Sequence, residues 1–377
     1  MPPGERCVIF RRMNRRAFLL ASAAGALAVT AKCAAISMPS IFGKDSEAKL
    51  PDLCMGRVMT VNGDIRPSKM GMTLPHEYLV RDFDGIHEGS AIRYDMEKAF
   101  NLLLPYLLAL KRAGCDTLVE CTPVYIGRNV RFLQRLSKAS GLNILTNTGC
   151  SGMDKNRYLP EYVRTDTVED IAFRWIRESW YGIGDTGIRP GFIQIGIEGT
   201  GLSAPHGKLF QAAGKAHLRT GLPIMVHAPN PISVLEGLSL LRKEGVDASA
   251  LIWAHTAESD AADLLEVTRL GAWVCMDNVK TAGIAESVKT LYRLKKADML
   301  DHVLISQAHY WTVDESRGLK KMGEDRMYLT IFNKLIPRLE KANFSRSDIR
   351  RLTEKNPQKA FEISVRKGKT RKKYLLF

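Results

Sequence analysis

The sequence predicts an α/β fold in which parallel strands alternate with helices and close into a (β/α)8 TIM barrel. Eight short apolar runs read as buried strands, and stretches with helical periodicity separate them. No Gly-x-Gly-x-x-Gly turn follows a strand, which disfavours an open nucleotide-binding sheet. The chain of 377 residues accommodates one such barrel, which we place at residues 56–363, together with its termini.

The elements follow one another in a regular order. A hairpin is predicted at Gly56–Ile65, with Asn62-Gly63 as its turn. The predicted strands are Met72–His76, Thr117–Thr122, Asn143–Thr148, Phe192–Ile197, Pro223–Ala228, Leu251–Thr256, Ala272–Asp277 and His302–Ala308. The predicted helices between strands are Tyr94–Ala113, Asn129–Ser140, Thr167–Trp180, Ala204–Thr220, Ile232–Glu244, Asp260–Leu270 and Ile284–Lys296. Three further helical segments complete the domain: Glu324–Lys341, Ser345–Thr353 and Pro357–Glu362.

The N-terminal segment, residues 1–35, is predicted to be a targeting signal. Arg15-Arg16 precede Phe18-Leu19 and an alanine-rich apolar run that ends near Val29. This run is too short to be a stable membrane span, and the paired arginines are typical of a twin-arginine signal. We therefore expect export in the folded state to the periplasm or the extracellular space, with no transmembrane span after the signal is removed.

The number and spacing of the cysteines are consistent with folding before export, because they do not indicate disulfides. Five remain after the predicted signal, an odd number without the spacing of a disulfide framework. The five are Cys54, Cys115, Cys121, Cys150 and Cys275. For Cys115, Cys121, Cys150 and Cys275, which lie in or beside apolar runs or end strands, we expect buried, unreactive thiols rather than metal ligands.

The positive charge lies mainly in the termini. Of the formal net charge of +15, +5 belongs to residues 1–35 and +6 to the tail segment 366–373, which leaves +4 for the rest. No basic stripe with interleaved aromatic residues occurs in the body, so we do not expect a nucleic-acid partner. The basic tail, residues 364–377, is predicted to be a solvated charge run; loose attraction to anionic lipids is the alternative.

Three histidines end predicted strands. His76, His227 and His255 therefore lie at the carboxyl-end face of the barrel, where barrel enzymes carry their active sites. A single histidine in this position is usually a hydrogen-bonded structural residue. Three neutral imidazoles on one face would suit Zn²⁺ or another divalent transition ion, so both interpretations stay open.

Many motifs in one order give the chain a resemblance to a known family. They include Gly71-Met72-Thr73-Leu74-Pro75-His76-Glu77, Gly127-Arg128-Asn129, Thr220–His227, Ile252-Trp253-Ala254-His255 and Lys355-Asn356-Pro357. With these motifs the chain resembles the phosphotriesterase family of the amidohydrolase superfamily. The resemblance implies a barrel hydrolase with two metal ions, for which the first strand provides a His-x-His pair, the fourth strand a bridging carboxylated lysine, the fifth and sixth strands one histidine each, and the eighth strand an aspartate.

Half of those six ligand positions are altered here. The second histidine of the first strand is Tyr78, whose ring would fill the space of one ion; the bridging lysine is Gln194; and the aspartate is Ala308. An amide cannot form a carbamate, and alanine can neither bind metal nor accept a proton. We expect at most one ion per chain, held by His76, His227 and His255, or no ion at all.

The catalytic residues are left open by the sequence. His309 follows the altered aspartate position and could complete a mononuclear site. Glu198 and Asp277 end strands and are candidate acids, although a solvated or capping role is the alternative. Glu77 should point away from the barrel axis and is interpreted as structural.

Two functions follow from these altered ligands. The first is a metal-dependent hydrolase that acts on a small ester, lactone or phosphotriester. The alternative is a non-catalytic barrel, a pseudoenzyme that binds a ligand or a partner in the cell envelope. The resemblance is also compatible with a homodimer, but the sequence identifies neither the oligomeric state nor the substrate.

Overall fold

The computed structural model describes residues 52–84, 92–256, 259–314, 316–322 and 328–368. The predicted signal segment, residues 1–35, and the end of the basic tail, residues 369–377, lie outside these ranges. None of the helices in the described part of the chain combines the length and the apolarity needed to cross a membrane.

The predicted hairpin is present, with its turn one residue earlier than expected. Strands Val58–Thr60 and Gly63–Ile65 pair antiparallel, and Thr60 lies opposite Gly63. Val61 and Asn62 therefore form the turn. Val61 is buried, and its backbone N–H donates to the carbonyl of Ile144 on the barrel, so burial of this side chain fixes the register.

Eight parallel segments form the barrel wall, and we number these barrel strands one to eight in chain order. Neighbouring segments pair in parallel in the order of the chain, which confirms the predicted α/β class with a parallel sheet. The third strand is interrupted at Thr146. The strands are Thr73–Glu77, Thr117–Glu120, Asn143–Leu145 with Asn147–Ser151, Phe192–Gly196, Ile224–His227, Leu251–Ala254, Trp273–Met276 and Val303–Ile305.

Backbone hydrogen bonds between residues at the end of the first strand and residues just after the eighth strand close the barrel. The N–H of Ala308 donates to the carbonyl of His76 at 3.2 Å, and the N–H of Tyr78 donates to the carbonyl of His309 at 3.1 Å. Because all strands are parallel, their carboxyl ends meet at one rim. Residues far apart in the sequence are therefore neighbours there.

Helices cover the outside of the barrel wall, and those between strands lie close to their predicted bounds, whereas the described part of the predicted segment Glu324–Lys341 is helical only from about Ile331. Ser203 caps the helix Ala204–Thr220, because its side chain accepts a hydrogen bond from the N–H of His206. The longer helices are Met96–Arg112, Val130–Ser140, Val168–Tyr181, Ala204–Thr220, Pro231–Lys243, Ala261–Arg269 and Ile284–Lys296. Shorter helical segments are Met153–Asn156, Glu161–Thr165, Ile331–Leu335, Ile336–Lys341, Arg346–Arg350, Arg351–Lys355 and Asn356–Phe361.

The apolar side chains form two cores, one on each face of the barrel wall. The larger core packs the helices against the wall, and the smaller one fills the barrel interior with side chains such as Val119, Met225 and Leu304. All five cysteines of the described chain are buried and unpaired, which confirms the prediction for Cys115, Cys121, Cys150 and Cys275 and adds Cys54, whose burial the sequence did not predict. The interior is therefore a packed core beneath the rim, and the chemistry is restricted to the rim itself.

A small sheet that the sequence analysis missed extends two barrel strands beyond the rim. It consists of Val80–Arg81, Tyr310–Val313 and Leu319–Met322, and Arg81 pairs with Thr312. Arg81 and Tyr310 lie on its partly exposed face, whereas Val80 is buried on the other face. A strand of two residues carries too little periodicity to be recognised in a sequence.

The first residues of the predicted tail pack on the barrel. The N–H of Arg366 donates to Nε2 of His217 at 2.9 Å, and its guanidinium donates to the carbonyls of Lys359 and Glu362. Lys367 forms an antiparallel bridge with Val246. The packed domain therefore extends to residue 368, five residues beyond the boundary predicted from the sequence.

The buried carboxyl of Glu120, at the end of the second barrel strand, gives a pH-dependent prediction. Burial raises the pKa of Glu120 to about 7, although hydrogen bonds from Thr122 and Leu79 oppose this rise. Because the folded-state pKa is raised, this group stabilises the fold at low pH and loses that contribution as the pH rises toward 7. The variant Glu120→Gln should therefore gain stability relative to the wild type between about pH 4.5 and 7. Urea unfolding across this range tests it, and parallel stability profiles would contradict it.

Candidate metal centre

Three histidine rings converge at the rim of the barrel. One ring nitrogen each of His76, His227 and His255 lies within 4.8 Å of the other two. Nε2 of His76 is 3.1 Å from Nε2 of His227, and the rings of His227 and His255 are stacked with centroids 4.7 Å apart. The structure thus brings together the three residues that the sequence analysis selected as metal ligands, which come from the first, fifth and sixth strands.

The hydroxyl of Tyr78 lies among these rings. It is 3.1 Å from Nε2 of His76, 3.0 Å from Nε2 of His255 and 3.4 Å from Nδ1 of His227. Burial raises the pKa of Tyr78 well above its usual value, so the phenol keeps its proton at neutral pH. The sequence predicts a ring that fills space; the structure adds a polar contact of its hydroxyl to all three imidazoles.

Asp277 supports two of the histidines from the end of the seventh strand. Its Oδ2 lies 2.8 Å from Nδ1 of His76 and accepts a hydrogen bond from the backbone N–H of His255 at 2.6 Å. His255 has a φ of 65°, in the left-handed region, so this hydrogen bond helps to hold a strained backbone. A carboxylate on Nδ1 directs Nε2 of His76 toward the centre.

Electrostatics keep two of the imidazoles neutral. Burial lowers the pKa of His255 to about 4, while the charge of Asp277 opposes this effect. Burial and then the neighbouring His76 lower the pKa of His227 well below its usual value. Neutral imidazoles have the lone pairs that a metal ion requires.

The charge of Asp277 is also set by this cluster. Burial alone would raise the pKa of Asp277, but the His76 ring and the hydrogen bond from His255 outweigh burial and lower it. Asp277 is therefore an ionised carboxylate beside three imidazoles. It supplies negative charge at a rim where the family's aspartate and carbamate positions have lost theirs.

Two of the altered ligand positions carry no strong metal donor. Gln194, on the fourth strand, is buried with its Nε2 3.5 Å from Nδ1 of His227. Ala308 follows the eighth strand with a φ of 53°, and its methyl group offers no ligand atom. Gln194 lies on the fourth strand and Ala308 just after the eighth, and neither side chain carries a negative charge.

Glu77 has the structural role expected from the sequence. Its carboxylate is buried and accepts hydrogen bonds from Oγ of Ser306 and from the N–H groups of Gln307 and His309, at 2.7 to 3.0 Å. Burial raises the pKa of Glu77 to about 7 despite these hydrogen bonds. The carboxyl therefore fixes the loop after the eighth strand, which contains Ala308.

The other two catalytic candidates lie elsewhere. Nδ1 of His309 accepts a hydrogen bond from the N–H of Tyr328 at 3.3 Å, and among the described residues His309 is not part of the group that could hold an ion. Glu198 is exposed and accepts a hydrogen bond from the N–H of Lys155. The structure brings Asp277, but neither His309 nor Glu198, to the three histidines.

A cationic side chain that the sequence analysis missed lies beside the centre. The guanidinium carbon of Arg81 is 4.6 Å from the ring centre of Tyr78, whose hydroxyl contacts the histidines. An isolated arginine within an apolar stretch gives no sequence signal for this position. Only the small sheet beyond the rim places it there.

Fold and site together define a class of protein. Eight parallel strands close into a barrel, and three imidazoles, oriented in part by a carboxylate, converge at its carboxyl-end rim. This is a barrel with a candidate mononuclear metal centre. The family model of the phosphotriesterase family matches residues 56–361, so the chain belongs to the phosphotriesterase family and the resemblance found in the sequence is confirmed.

Individual relatives agree with this assignment. The phosphotriesterase homology protein of Escherichia coli is 28% identical, over 78% of this chain and 98% of its own. An aryldialkylphosphatase of Saccharolobus solfataricus is 25% identical over 81% and 99%, and an N-acetyltaurine hydrolase of Danio rerio is 26% identical over 81% and 97%. A crystal structure of the Escherichia coli protein, with phosphate in its active site, superimposes with a TM-score of 0.66 at 26% identity, covering 78% of this chain and 99% of that one.

Proposed function

We propose that this protein is a hydrolase that uses one divalent transition ion, held by His76, His227 and His255, to cleave a small ester, lactone or phosphotriester. The observation that carries the proposal is the convergence of three ring nitrogens within 4.8 Å at the rim of the barrel. Family membership supports hydrolysis, because curated relatives include an aryldialkylphosphatase and N-acetyltaurine hydrolases. These relatives favour an enzyme over the pseudoenzyme alternative.

The donor set fits one ion. Zinc–nitrogen bonds of about 2.0–2.1 Å require ligand nitrogens roughly 3.3 Å apart in a tetrahedral site. The distance of 3.1 Å between the Nε2 atoms of His76 and His227 is close to this value. Asp277 on Nδ1 of His76 is the supporting carboxylate that metal-binding histidines usually have.

A second ion of the family kind does not fit. Two divalent ions need bridging negative charge, and Gln194 and Ala308 provide none. The Tyr78 hydroxyl lies 3.0 to 3.4 Å from the three rings and occupies space among them. The centre is therefore expected to be mononuclear.

The residues of this chain have distinct tasks in such a reaction. An ion held by three imidazoles would supply Lewis-acid polarisation and an acidified water. Asp277 fixes the ring of His76 and the backbone of His255, so it acts as a positioning residue. Tyr78 keeps its proton and can donate a hydrogen bond to a substrate oxygen beside the histidines.

Metal content is the measurement that tests this proposal. We expect elemental mass spectrometry of the purified, exported protein to find about one transition ion per chain. The double variant His227→Ala/His255→Ala should lose both the ion and the turnover of phenyl acetate, δ-valerolactone and paraoxon. His302→Ala changes a half-buried histidine outside the centre and should keep both.

Each contrary result has a definite meaning. A value near two ions per chain would show that a residue we regard as inert bridges a second ion. An ion that persists in the double variant would place the site elsewhere. A folded protein with no ion and no turnover would favour a barrel that binds a ligand without hydrolysing it, and would overturn the proposal.

A further inference from the structure

The guanidinium of Arg81 lies inside a box of three aromatic rings. Its carbon Cζ is 4.6 Å from the ring centre of Tyr78, 4.6 Å from that of Phe83 and 4.8 Å from that of Tyr310. The ring of Tyr310 meets those of Tyr78 and Phe83 nearly edge-on, with centroids 6.2 and 6.3 Å away. The rings therefore fix the position of the cation without neutralising its charge.

The small sheet beyond the rim determines this geometry. Val80–Arg81 continues from the first barrel strand and pairs with Tyr310–Val313, which follows the eighth. Alternation along these strands places Arg81 and Tyr310 on the same, partly exposed face. The guanidinium thus stacks on the ring of Tyr78, whose hydroxyl contacts the histidine cluster, and it belongs to a partly exposed side chain.

Arg81 also differs from the other arginines that stack on rings or pair with acids nearby. Arg93 donates to Asp82 and Asp84, and Arg135 combines stacking on Phe100 with an ion pair to Glu97. Nε of Arg81 is buried, yet within the described ranges it donates to no acceptor. A buried donor without a partner is unfavourable, and an oxyanion from outside would satisfy it.

We propose that Arg81 binds an anionic oxygen group of the substrate while the bond to be cleaved lies at the three histidines. This inference rests on the proposed hydrolase function and specifies its substrate class: a small ester, lactone or phosphotriester that also carries a carboxylate, sulfonate or phosphate group. The Tyr78 ring sets the spacing, because its face contacts Arg81 and its hydroxyl contacts the histidines. The planar guanidinium fork matches two oxygens of such an anion.

Binding of a matched pair of small molecules tests the proposal independently of turnover. Benzenesulfonate carries the anion and is a weak metal ligand, whereas methyl phenyl sulfone is its neutral isostere. By isothermal titration we expect the wild-type protein to bind benzenesulfonate about tenfold or more tightly than the sulfone. Arg81→Gln should abolish this preference. Arg135→Gln, which removes an exposed guanidinium from the Phe100 ring, should retain it.

A second variant at Arg81 retains the positive charge and so distinguishes loss of the guanidinium from misfolding of the protein. Arg81→Lys preserves a cation but not the planar fork, so the preference should fall to a value between those of the wild type and Arg81→Gln. The absence of a preference in the wild type overturns the proposal without any variant. A preference that survives in Arg81→Gln overturns it as well.

Comparing the turnover of an anionic and a neutral ester tests the role of Arg81 separately from the proposed hydrolase function. The esters 4-acetoxybenzenesulfonate and 4-(methylsulfonyl)phenyl acetate differ in charge, and the anionic one should have the higher kcat/KM in the wild type only. If both are hydrolysed equally, the hydrolase assignment stands and the role of Arg81 is wrong. If neither is hydrolysed but the binding preference depends on Arg81, the anion site stands and these esters are not substrates.

Discussion

Replacing Asp277 with asparagine is expected to weaken metal binding by about 10- to 100-fold, the usual cost of losing a supporting carboxylate. Oδ2 of Asp277 lies 2.8 Å from Nδ1 of His76, and an amide placed there no longer selects the tautomer that directs Nε2 toward the centre. The same oxygen accepts the backbone N–H of His255. One substitution therefore disturbs two of the three ligands.

Without metal, the Asp277→Asn variant should also be less stable than the wild type. His255 has a φ of 65°, and its buried N–H depends on Asp277. Exchanging this charged acceptor for a neutral amide oxygen should weaken the hydrogen bond and lower the free energy of unfolding by about 1 kcal/mol. Metal affinity, from competition with a chromogenic chelator, and urea unfolding of the metal-free protein measure the two effects separately.

Asp314 provides the matched control for this variant. Its carboxylate also accepts backbone hydrogen bonds, from Ser316 and Gly318 at 3.0 and 2.9 Å, but it lies in the turn between two strands of the small sheet. Asp314→Asn should leave metal affinity unchanged. If Asp277→Asn binds metal as tightly as this control, Asp277 does not position the ligands.

The second large effect is expected for Gly149→Ala, in the third barrel strand. Gly149 has a φ of 98° and lies directly opposite Gln194 of the fourth strand. A Cβ atom at this position would collide with the backbone carbonyl oxygen of Gln194, which cannot move without breaking the sheet. We expect a loss of about 3 kcal/mol or more, because overpacking adds to the left-handed backbone strain.

Gly184→Ala separates the cost of the steric collision from the cost of the left-handed backbone strain. Gly184 has a φ of 59°, and no heavy atom lies within 4 Å of the position a Cβ would occupy. This control should lose only the cost of backbone strain, about 1–2 kcal/mol. Denaturation midpoints for both variants test the difference, and equal losses would show that the strands separate to admit the methyl group.

Much of the architecture can be read from local patterns. The eight apolar runs and the helices between them lie within a few residues of their predicted bounds, because burial on both faces of a parallel strand demands continuous apolar sequence. The same order of strands identified His76, His227 and His255 as neighbours at the rim. The signal segment stays a prediction, since it lies outside the described residues.

Other features depend on contacts between segments distant in the sequence. The hairpin turn is at Val61-Asn62 because Val61 is buried against the barrel, which local turn preferences cannot reveal. Residues 364–368 pack on the domain because Arg366 finds acceptors on neighbouring segments. Because these acceptors cannot be recognised in the sequence, the basic run was predicted to be solvated.

The sequence by itself determined the barrel, the family and the three candidate ligands, because periodicity and motifs are local properties of the chain. It also predicted that Gln194 and Ala308 do not replace the family's bridging lysine and metal-binding aspartate. Only the tertiary structure decided the contacts of Tyr78, Asp277 and Arg81. Their contacts with the three histidines and the aromatic rings cross from one strand end to another, and such distances are set by closure of the barrel rather than by any one segment.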